Sequence, residues 1–251
     1  MALRRWTMEE RITLQQMYPD EDIPLDEIVQ RLGRTIDAIK LEASKLGLHR
    51  AKPNKVRAIR DFFHTIDSDE KSYWLGFLAA DGTVVSHRTT YFVQLTLQKK
   101  DLAWLTRYRD RLAPEARIVK DRTCFKVTIA SKEMVHDLGR WGISPNKTKT
   151  LLFPSLPNKF IIPFILGYFD GDGSLRKYRY SWYWRLIGTY AFLDVARKYI
   201  QIHTEVEINE PVRALTNRCP YLYTLCAYGE RAVTIDRMPN RRGLGMPRKH
   251  L

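Results

Sequence analysis

The chain has 251 residues and a mass of 29.5 kDa, of which 44% are hydrophobic, so it is long enough to bury a core in one large domain or in a large and a small one. Its 42 basic and 28 acidic residues leave a net charge of +14, which fits a polyanionic partner and, about equally well, a merely basic soluble protein. The sequence offers no apolar run of about 18 residues for a membrane span and no signal peptide, and its three cysteines lack the CxxC spacing of zinc sites.

Residues 1–50 are predicted to form a small all-α domain of three short helices. Thr7 followed by Glu10 is a capping box that opens the first helix. Gly33 ends the second helix, and Gly47 closes the third as a C-cap. Three short helices with a glycine-containing turn before the third are typical of a helix-turn-helix.

The segments RRWTMEE and LGRTIDAIKLEASKLGLHR of this domain resemble Myb/SANT-like DNA-binding modules. In that family the third helix enters the major groove, which implies DNA contacts from this helix and its start. The implied contact residues are Arg34, Thr35, Lys40, Ser44 and Lys45. A helical protein-interaction module is the alternative interpretation.

Residues 51–61 are polar and basic with little apolar periodicity, and they are predicted to be a linker. The remaining chain, residues 62–251, contains one motif twice, as YWLGFLAADGT at residues 73–83 and as ILGYFDGDGS at residues 165–174. Each copy ends an apolar run in Asp-Gly, and the two aspartates are 91 residues apart.

Small residues recur four apart in both copies, so they share one face of a helix. They are Gly76 and Ala80 in the first copy and Gly167 and Gly171 in the second. Glycine costs about 1 kcal/mol inside a helix, which indicates that close packing compensates for it. Two helices that approach closer than the usual ~8–10 Å would bring Asp81 and Asp172 together at their ends.

These copies, with the flanking segments FHTIDSDEKSYWLGFLAADG and GISPNKTKTLLFP, resemble the LAGLIDADG homing endonucleases over roughly residues 62–247. The resemblance implies an α+β fold built from two αββαββα halves, about 62–157 and 158–251. The halves would be related by a pseudo-twofold axis, and their antiparallel sheets would form a DNA-binding saddle.

The residues between and after the motifs fit this order of elements. After the first motif we expect the strand YFVQLTL, a helix from Asp101 to Leu112, a hairpin turning at Asp121-Arg122, and a helix ending at Gly142. After the second we expect the strand SWYWRLI, the helix AFLDVARKYI, strands around VEI and YLYTLCA, and a last helix near Arg231.

Paired carboxylates can hold the divalent cations that activate water and neutralise charge in phosphodiester hydrolysis. The resemblance implies that Asp81 and Asp172 hold Mg²⁺ or another divalent cation. It also implies that the backbone carbonyls of Ala80 and Gly171 are neighbours of the metal. The alternative is that each Asp-Gly pair only ends a helix and begins a turn.

Further catalytic candidates follow from the same resemblance. Gln98 matches the family's water-orienting polar residue, whereas Gly188-Thr189 stands at the comparable place in the second half. Lys147 matches the active-site basic residue, and Arg241 of PNRR is its candidate counterpart. An ordinary phosphate contact or a solvated surface position is the alternative for both basic residues.

Base contacts are expected from the strands, because a twisted two-stranded ribbon fits the major groove. The strongest candidates lie in a segment without acidic residues, and the others are weaker by the same logic. They are Arg176, Lys177, Arg179 and Arg185, followed by Gln94, Thr96, Lys126, Arg213 and Arg218. A solvated sheet face is the alternative for any one of them.

The sequence therefore predicts a monomeric, site-specific homing endonuclease that cleaves double-stranded DNA and has no membrane partner. The alternatives are an RNA maturase that binds intron RNA and a non-cleaving DNA-binding regulator, whereas an intein is disfavoured because no splicing segment is recognised. We expect a cytoplasmic protein of a bacterial or phage-infected cell, with an organelle matrix as the alternative.

Overall fold

A computed structural model describes residues 5–20, 23–49, 59, 61–214, 219, 221–238 and 243–251. The chain divides into two compact units, Met1–Lys55 and Val56–Leu251, each with its own hydrophobic core. Most of the predicted linker lies outside the described residues. No helix within the described ranges is long and apolar enough to cross a bilayer.

The smaller unit contains the three predicted helices, and the predicted caps are present at the start of the first helix and after the second and third. The capping box between Thr7 and Glu10 is present, and Gly33 and Gly47 adopt left-handed backbone angles, with φ of +58° and +67°. The helices are α1 (Met8–Met17), α2 (Leu25–Leu32) and α3 (Ile36–Lys45). Their shared core is formed by Leu14, Ile28, Leu32, Ile39 and Ala43.

The larger unit begins with an αββαββα half whose sheet is antiparallel in the order β1-β2-β4-β3. Its elements are α4 (Asp69–Asp81), β1 (Gly82–His87), β2 (Thr90–Gln98), α5 (Leu102–Leu112), β3 (Ile118–Asp121), β4 (Cys124–Ile129) and α6 (Lys132–Arg140). The predicted hairpin turn is confirmed, with Arg122 at φ +54°.

The second half repeats this order, and its sheet runs β5-β6-β8-β7. Its elements are α7 (Asn158–Asp172), β5 (Gly173–Tyr178), β6 (Ser181–Gly188), α8 (Tyr190–Thr204), β7 (Val212–Arg213), β8 (Tyr223–Tyr228) and α9 (Glu230–Arg237). The predicted fold class, two αββαββα halves beside a small all-α unit, is therefore confirmed.

One predicted strand is wrong. The residues VEI, 206–208, are irregular, and the edge strand lies further on, where Val212 pairs with Thr224 of β8. Ile208 is buried, so the apolar signal comes from a side chain that anchors a loop. Pro211 just before the strand lacks an N–H for the ladder, which limits how far β7 can extend.

Helices α4 and α7 pack against each other backbone to backbone through the predicted glycines. A Cβ atom on Gly76 would lie 2.0 Å from the carbonyl oxygen of Phe164, and one on Gly167 would lie 1.9 Å from that of Tyr73. Both distances are far inside van der Waals contact, so the two helices approach this closely only because the glycines carry no side chain. The aspartates at the ends of both helices are thereby brought side by side.

The two sheets each bury one face and leave the other open. In β2, Val93, Leu95 and Leu97 point into the core, so Gln94, Thr96 and Gln98 alternate onto the open face. We call the two open faces, bordering the ends of α4 and α7, the saddle surface. Its polar positions include Gln94, Thr96, Gln98, Lys126, Ser174, Arg176 and Arg185.

Candidate active site

Asp81 and Asp172 are the last residues of α4 and α7, and the structure places these two helix ends in contact. A Cβ atom on Gly171 would lie 2.3 Å from the Cβ of Ala80 and 3.4 Å from the Cγ of Asp81. Within the described part of the chain, the side chain of neither aspartate has a hydrogen bond or an ion pair. The two carboxylates therefore lie next to each other, without partners, at the centre of the saddle surface.

The surroundings of both carboxylates favour their neutral forms. Loss of hydration raises the pKa of Asp172 to about 6, and the neighbouring charge of Asp81 adds to this increase. Loss of hydration also raises the pKa of Asp81, against the opposing effect of two lysines. Because two like charges share the site, a divalent cation would relieve their repulsion.

Two lysines lie at the same two helix ends. Lys147 Nζ donates to the carbonyl oxygen of Gly82, directly after Asp81. Lys249 Nζ donates to the carbonyl oxygens of Gly171 and Gly173, at 2.9 and 3.1 Å, on both sides of Asp172. Desolvation lowers the pKa of each lysine, while the aspartates oppose that effect.

The positive charges of both lysines act to lower the pKa of both aspartates, although no ion pair joins a lysine to Asp81 or Asp172 within the described residues. Asp81 and Lys249 line the same open cleft of about 410 Å³.

Lys249 was not predicted from the sequence. Arg241, the predicted counterpart of Lys147, lies outside the described residues, and Lys249 takes the position related to Lys147 by the pseudo-twofold axis. A signal for this was present, because Pro145-Asn146-Lys147 and Pro247-Arg248-Lys249 are both Pro-x-Lys segments in short 3₁₀ turns. The different spacing of the lysines from their aspartates obscured the repeat.

The predicted asymmetry between the halves follows from the strand register. Gln98 lies three residues after Leu95, the partner of Gly82, and lines the cleft beside Asp81. The residue three after Leu186, the partner of Gly173, is Thr189, whereas Gly188 corresponds to Leu97 and is buried. Thr189 caps α8 by accepting from the amide of Phe192 and donates its hydroxyl to the carbonyl oxygen of Leu151 at 2.7 Å, so its side chain is engaged within the fold.

The residues present fit a divalent cation whose protein ligands are few. No group of three or more His, Cys, Asp or Glu side chains converges anywhere in the described ranges, so the carboxylates available here are Asp81 and Asp172. Mg²⁺ commonly binds through one or two carboxylates and fills its remaining positions with water and substrate phosphate. The two backbone carbonyls predicted to neighbour the metal differ. That of Gly171 accepts a hydrogen bond from Lys249. That of Ala80 lies in the last turn of α4, where carbonyls have no partner within the helix.

Several of the predicted DNA contacts lie on the saddle surface. Gln94, Thr96 and Lys126 lie on the open face of the first sheet, where Thr96 pairs with Lys126 across the strands. Lys126 also forms a 2.9 Å ion pair with Asp121. Arg176 and Arg185 lie on the open face of the second sheet, and Arg176 lines the cleft beside Asp81.

The other predicted strand contacts have different surroundings. Strand alternation places Lys177 and Arg213 on the opposite face of their sheet, although Lys177 also lines a depression with Arg176 and Arg185. Arg179 occupies the hairpin turn, with φ +53°, and its guanidinium group lies over the ring of Tyr178. Arg218 lies outside the described residues. The DNA contacts of these four residues stay predictions.

In the small unit the structure separates one predicted contact residue from the others. Arg34 forms a 2.8 Å ion pair with Glu10, its side chain is 9% exposed, and it lies over the ring of Trp6. These contacts engage the Arg34 guanidinium group within the unit, and the DNA contact predicted for Arg34 stays a prediction. Thr35 caps α3, while Lys40, Ser44 and Lys45 are exposed on that helix.

No protein-family model and no curated protein matches the chain. Among solved structures, mesophilic variants of the homing endonuclease I-DmoI are 14% identical over 66% of this chain and 92% of theirs, with a TM-score of 0.47. I-SmaMI bound to an uncleaved DNA target with calcium is 13% identical over 71% and 86%, with a TM-score of 0.49. I-DmoI in complex with DNA and Mn is 18% identical over 62% and 86%, with a TM-score of 0.43.

Proposed function

We propose that the chain is a site-specific endonuclease of the homing type that cleaves both strands of DNA. The observation that carries the proposal is the contact between the ends of α4 and α7. It places two unpaired carboxylates, Asp81 and Asp172, at the centre of the saddle surface. A pair of helix ends that served only as caps would have no need of a backbone-to-backbone seam at Gly76 and Gly167.

Asp81 and Asp172 would hold the divalent cations of the reaction, together with water and the DNA phosphate. Cations held there would make a water more acidic and neutralise charge that develops on the phosphate. In the hydrolysis the water oxygen bonds to phosphorus and releases a proton to solvent, while the bond to one ester oxygen breaks and that oxygen takes up a proton from solvent. Two carboxylates shared between two phosphates fit one cut in each strand.

The lysines have two roles in this proposal. Their hydrogen bonds to the helix-end carbonyls fix the chain on each side of the aspartates. Because desolvation lowers the pKa of Lys147 and Lys249, each lysine can exchange a proton with solvent more readily than a surface lysine. Gln98 lines the cleft of Asp81 and would orient the attacking water there.

DNA binding is assigned to the saddle surface and to the small unit. The net charge of +14 predicts that affinity falls steeply with salt, because phosphate contacts release counterions. Direct readout is assigned to Gln94, Arg176 and Arg185 on the strands, and contacts from α3 are assigned to Lys40 and Ser44. A single chain supplies both halves of the site, so a monomer suffices.

A cleavage assay tests the proposal. The substrate is a duplex that joins the two genomic sequences flanking the insertion that carries this reading frame, incubated with the full chain and Mg²⁺. We expect a double-strand break, and we expect Asp81→Asn and Asp172→Asn each to abolish it while DNA affinity changes less than about threefold. Binding without a cut by the unmodified chain would instead favour a non-cleaving regulator, or an RNA maturase if intron RNA competes for the same surface.

A further inference from the structure

Lys249 is carried by residues 243–251, which we call the closing segment. The segment follows α9 and packs into the interior of the larger unit, where Leu244 and Met246 are buried. The equivalent Lys147 lies instead in the segment between α6 and α7, so the chain continues into a helix on each side of it. Lys249 therefore depends on whatever anchors the closing segment.

The principal anchor is a buried bridge between two carboxylates. His250 Nε2 lies 2.8 Å from Asp170 of α7, and its Nδ1 lies 2.7 Å from Asp236 of α9. The side chains of all three residues are at most 2% exposed. We call this group the histidine clamp. It lies one residue from Lys249 on the closing segment and two residues from Asp172 on α7.

Backbone groups of the closing segment complete the clamp. The amide of Met246 donates to Asp170 at 2.7 Å, and the amide of Leu251 donates to Asp236 at 3.0 Å. Tyr73 of α4 donates its hydroxyl to Asp170 at 2.6 Å. Asp170 thus fixes the closing segment to both central helices at once.

A second anchor joins the segment to the first half of the unit. Arg248 forms a two-pronged ion pair with Asp101, in which Nη2 lies 2.6 Å from Oδ2. Arg107 of α5 donates to the carbonyl oxygen of Gly243 at 2.5 Å. Lys249 is therefore flanked by anchored residues, Arg248 on one side and His250 on the other.

We propose that the histidine clamp is a positioning device, which holds Lys249 against the carbonyls of Gly171 and Gly173 and thereby sets the rate at which one DNA strand is cut. The inference rests on the proposed nuclease function. His250 would not touch DNA or the reacting atoms, because it is enclosed by protein. Its effect would pass through Lys249, which lines the cleft of Asp81.

Strand-resolved cleavage tests this role, using a duplex with a different label on each strand. Lys249→Met should slow one strand by about 10- to 100-fold and leave a nicked product. His250→Ala should slow the same strand, and the double variant should be no slower than Lys249→Met alone. His203→Ala is the matched control, since His203 is exposed on α8 and bonds only the local carbonyl of Tyr199 among the described residues.

Amide hydrogen exchange in the metal-free protein gives a readout that does not depend on activity. The Met246 and Leu251 amides should be protected in the unmodified chain and in Lys249→Met, and they should exchange at least about tenfold faster in His250→Ala. His250→Gln, which keeps a donor for Asp170, should be intermediate in both assays. It also keeps the test available if His250→Ala does not fold.

The outcomes separate the two proposals. Equal slowing of both strands by His250→Ala, or an additive loss in the double variant, would overturn the positioning role while leaving the nuclease function in place. Unchanged protection of the two amides in His250→Ala would overturn it as well. An unmodified chain that cuts neither strand would refute the nuclease function and this inference with it.

Discussion

The close contact between Gly167 of α7 and Tyr73 of α4 allows the effect of Gly167→Ala on stability to be predicted. The added Cβ would lie 1.9 Å from the carbonyl oxygen of Tyr73, whereas ordinary contact begins at 3.4 Å, so the helices must separate by about 1.5 Å. Overpacking of a buried contact lowers the free energy of unfolding by about 1–3 kcal/mol. This case lies at the upper end, because the atom that is struck belongs to the backbone and cannot rotate away as a side chain can. Alanine gains about 1 kcal/mol in helix propensity, which leaves a net loss of about 2 kcal/mol.

Gly139→Ala is the matched control, because Gly139 lies in α6 and nothing lies within 4 Å of the added Cβ. It should be neutral or stabilise the chain by up to about 1 kcal/mol. Urea unfolding followed by near-ultraviolet circular dichroism compares the two variants. Equal stability of Gly167→Ala and Gly139→Ala would refute the view that the glycine seam sets the distance between α4 and α7.

The same substitution tests the link from packing to catalysis. A shift of this size displaces Asp172 relative to Asp81, and misplacement by about 1 Å can cost on the order of 100-fold in rate. We expect double-strand cleavage by Gly167→Ala to fall at least about tenfold under conditions in which it remains folded, while Gly139→Ala cuts normally. Normal cleavage by a folded Gly167→Ala would show that the spacing of the aspartates is not critical.

Three further predictions follow from the site and the small unit. Chelation with EDTA should abolish cleavage in a plasmid assay and added Mg²⁺ should restore it; cleavage that persists in EDTA would exclude the metal site. Cleavage should fall as the pH drops through about 6, because Asp172 then takes up a proton. In the metal-free chain the folded state keeps that proton to a higher pH than the unfolded state, so stability should fall as the pH rises from about 4 to 6. Melting at several pH values should show this slope in the unmodified chain and not in Asp172→Asn. Lys40→Ala should reduce the slope of log affinity for DNA against log salt concentration by about one unit, whereas Arg34→Ala should mainly lower the melting temperature of the small unit. The reverse pattern would indicate that Arg34 contacts DNA.

The architecture could be predicted because its signals are local and repeated. The capping box at Thr7 and the left-handed glycines Gly33 and Gly47 mark helix ends by backbone rules that do not depend on the rest of the fold. The glycines of the two motif copies occur four residues apart, and that spacing was enough to predict a helix seam. The seam in turn placed Asp81 and Asp172 together.

The sequence said less where a side chain's surroundings depend on distant partners. Arg34 looks like any basic residue at the start of a reading helix, and only the fold shows its ion pair with Glu10. Ile208 suggested a strand because burial gives the same apolar signal in a loop. Lys249 was missed because it lies 77 residues after Asp172, and the histidine clamp that holds it joins α7, α9 and the closing segment.

Manganese binding measures the paired site most directly. Electron paramagnetic resonance can titrate Mn²⁺ into the full chain bound to its target duplex, with Asp81→Asn and Asp172→Asn as variants that still bind DNA. We predict that the unmodified complex binds Mn²⁺ and that each single substitution weakens this binding at least about tenfold. Undiminished Mn²⁺ affinity in either variant would contradict a metal site shared by the two aspartates.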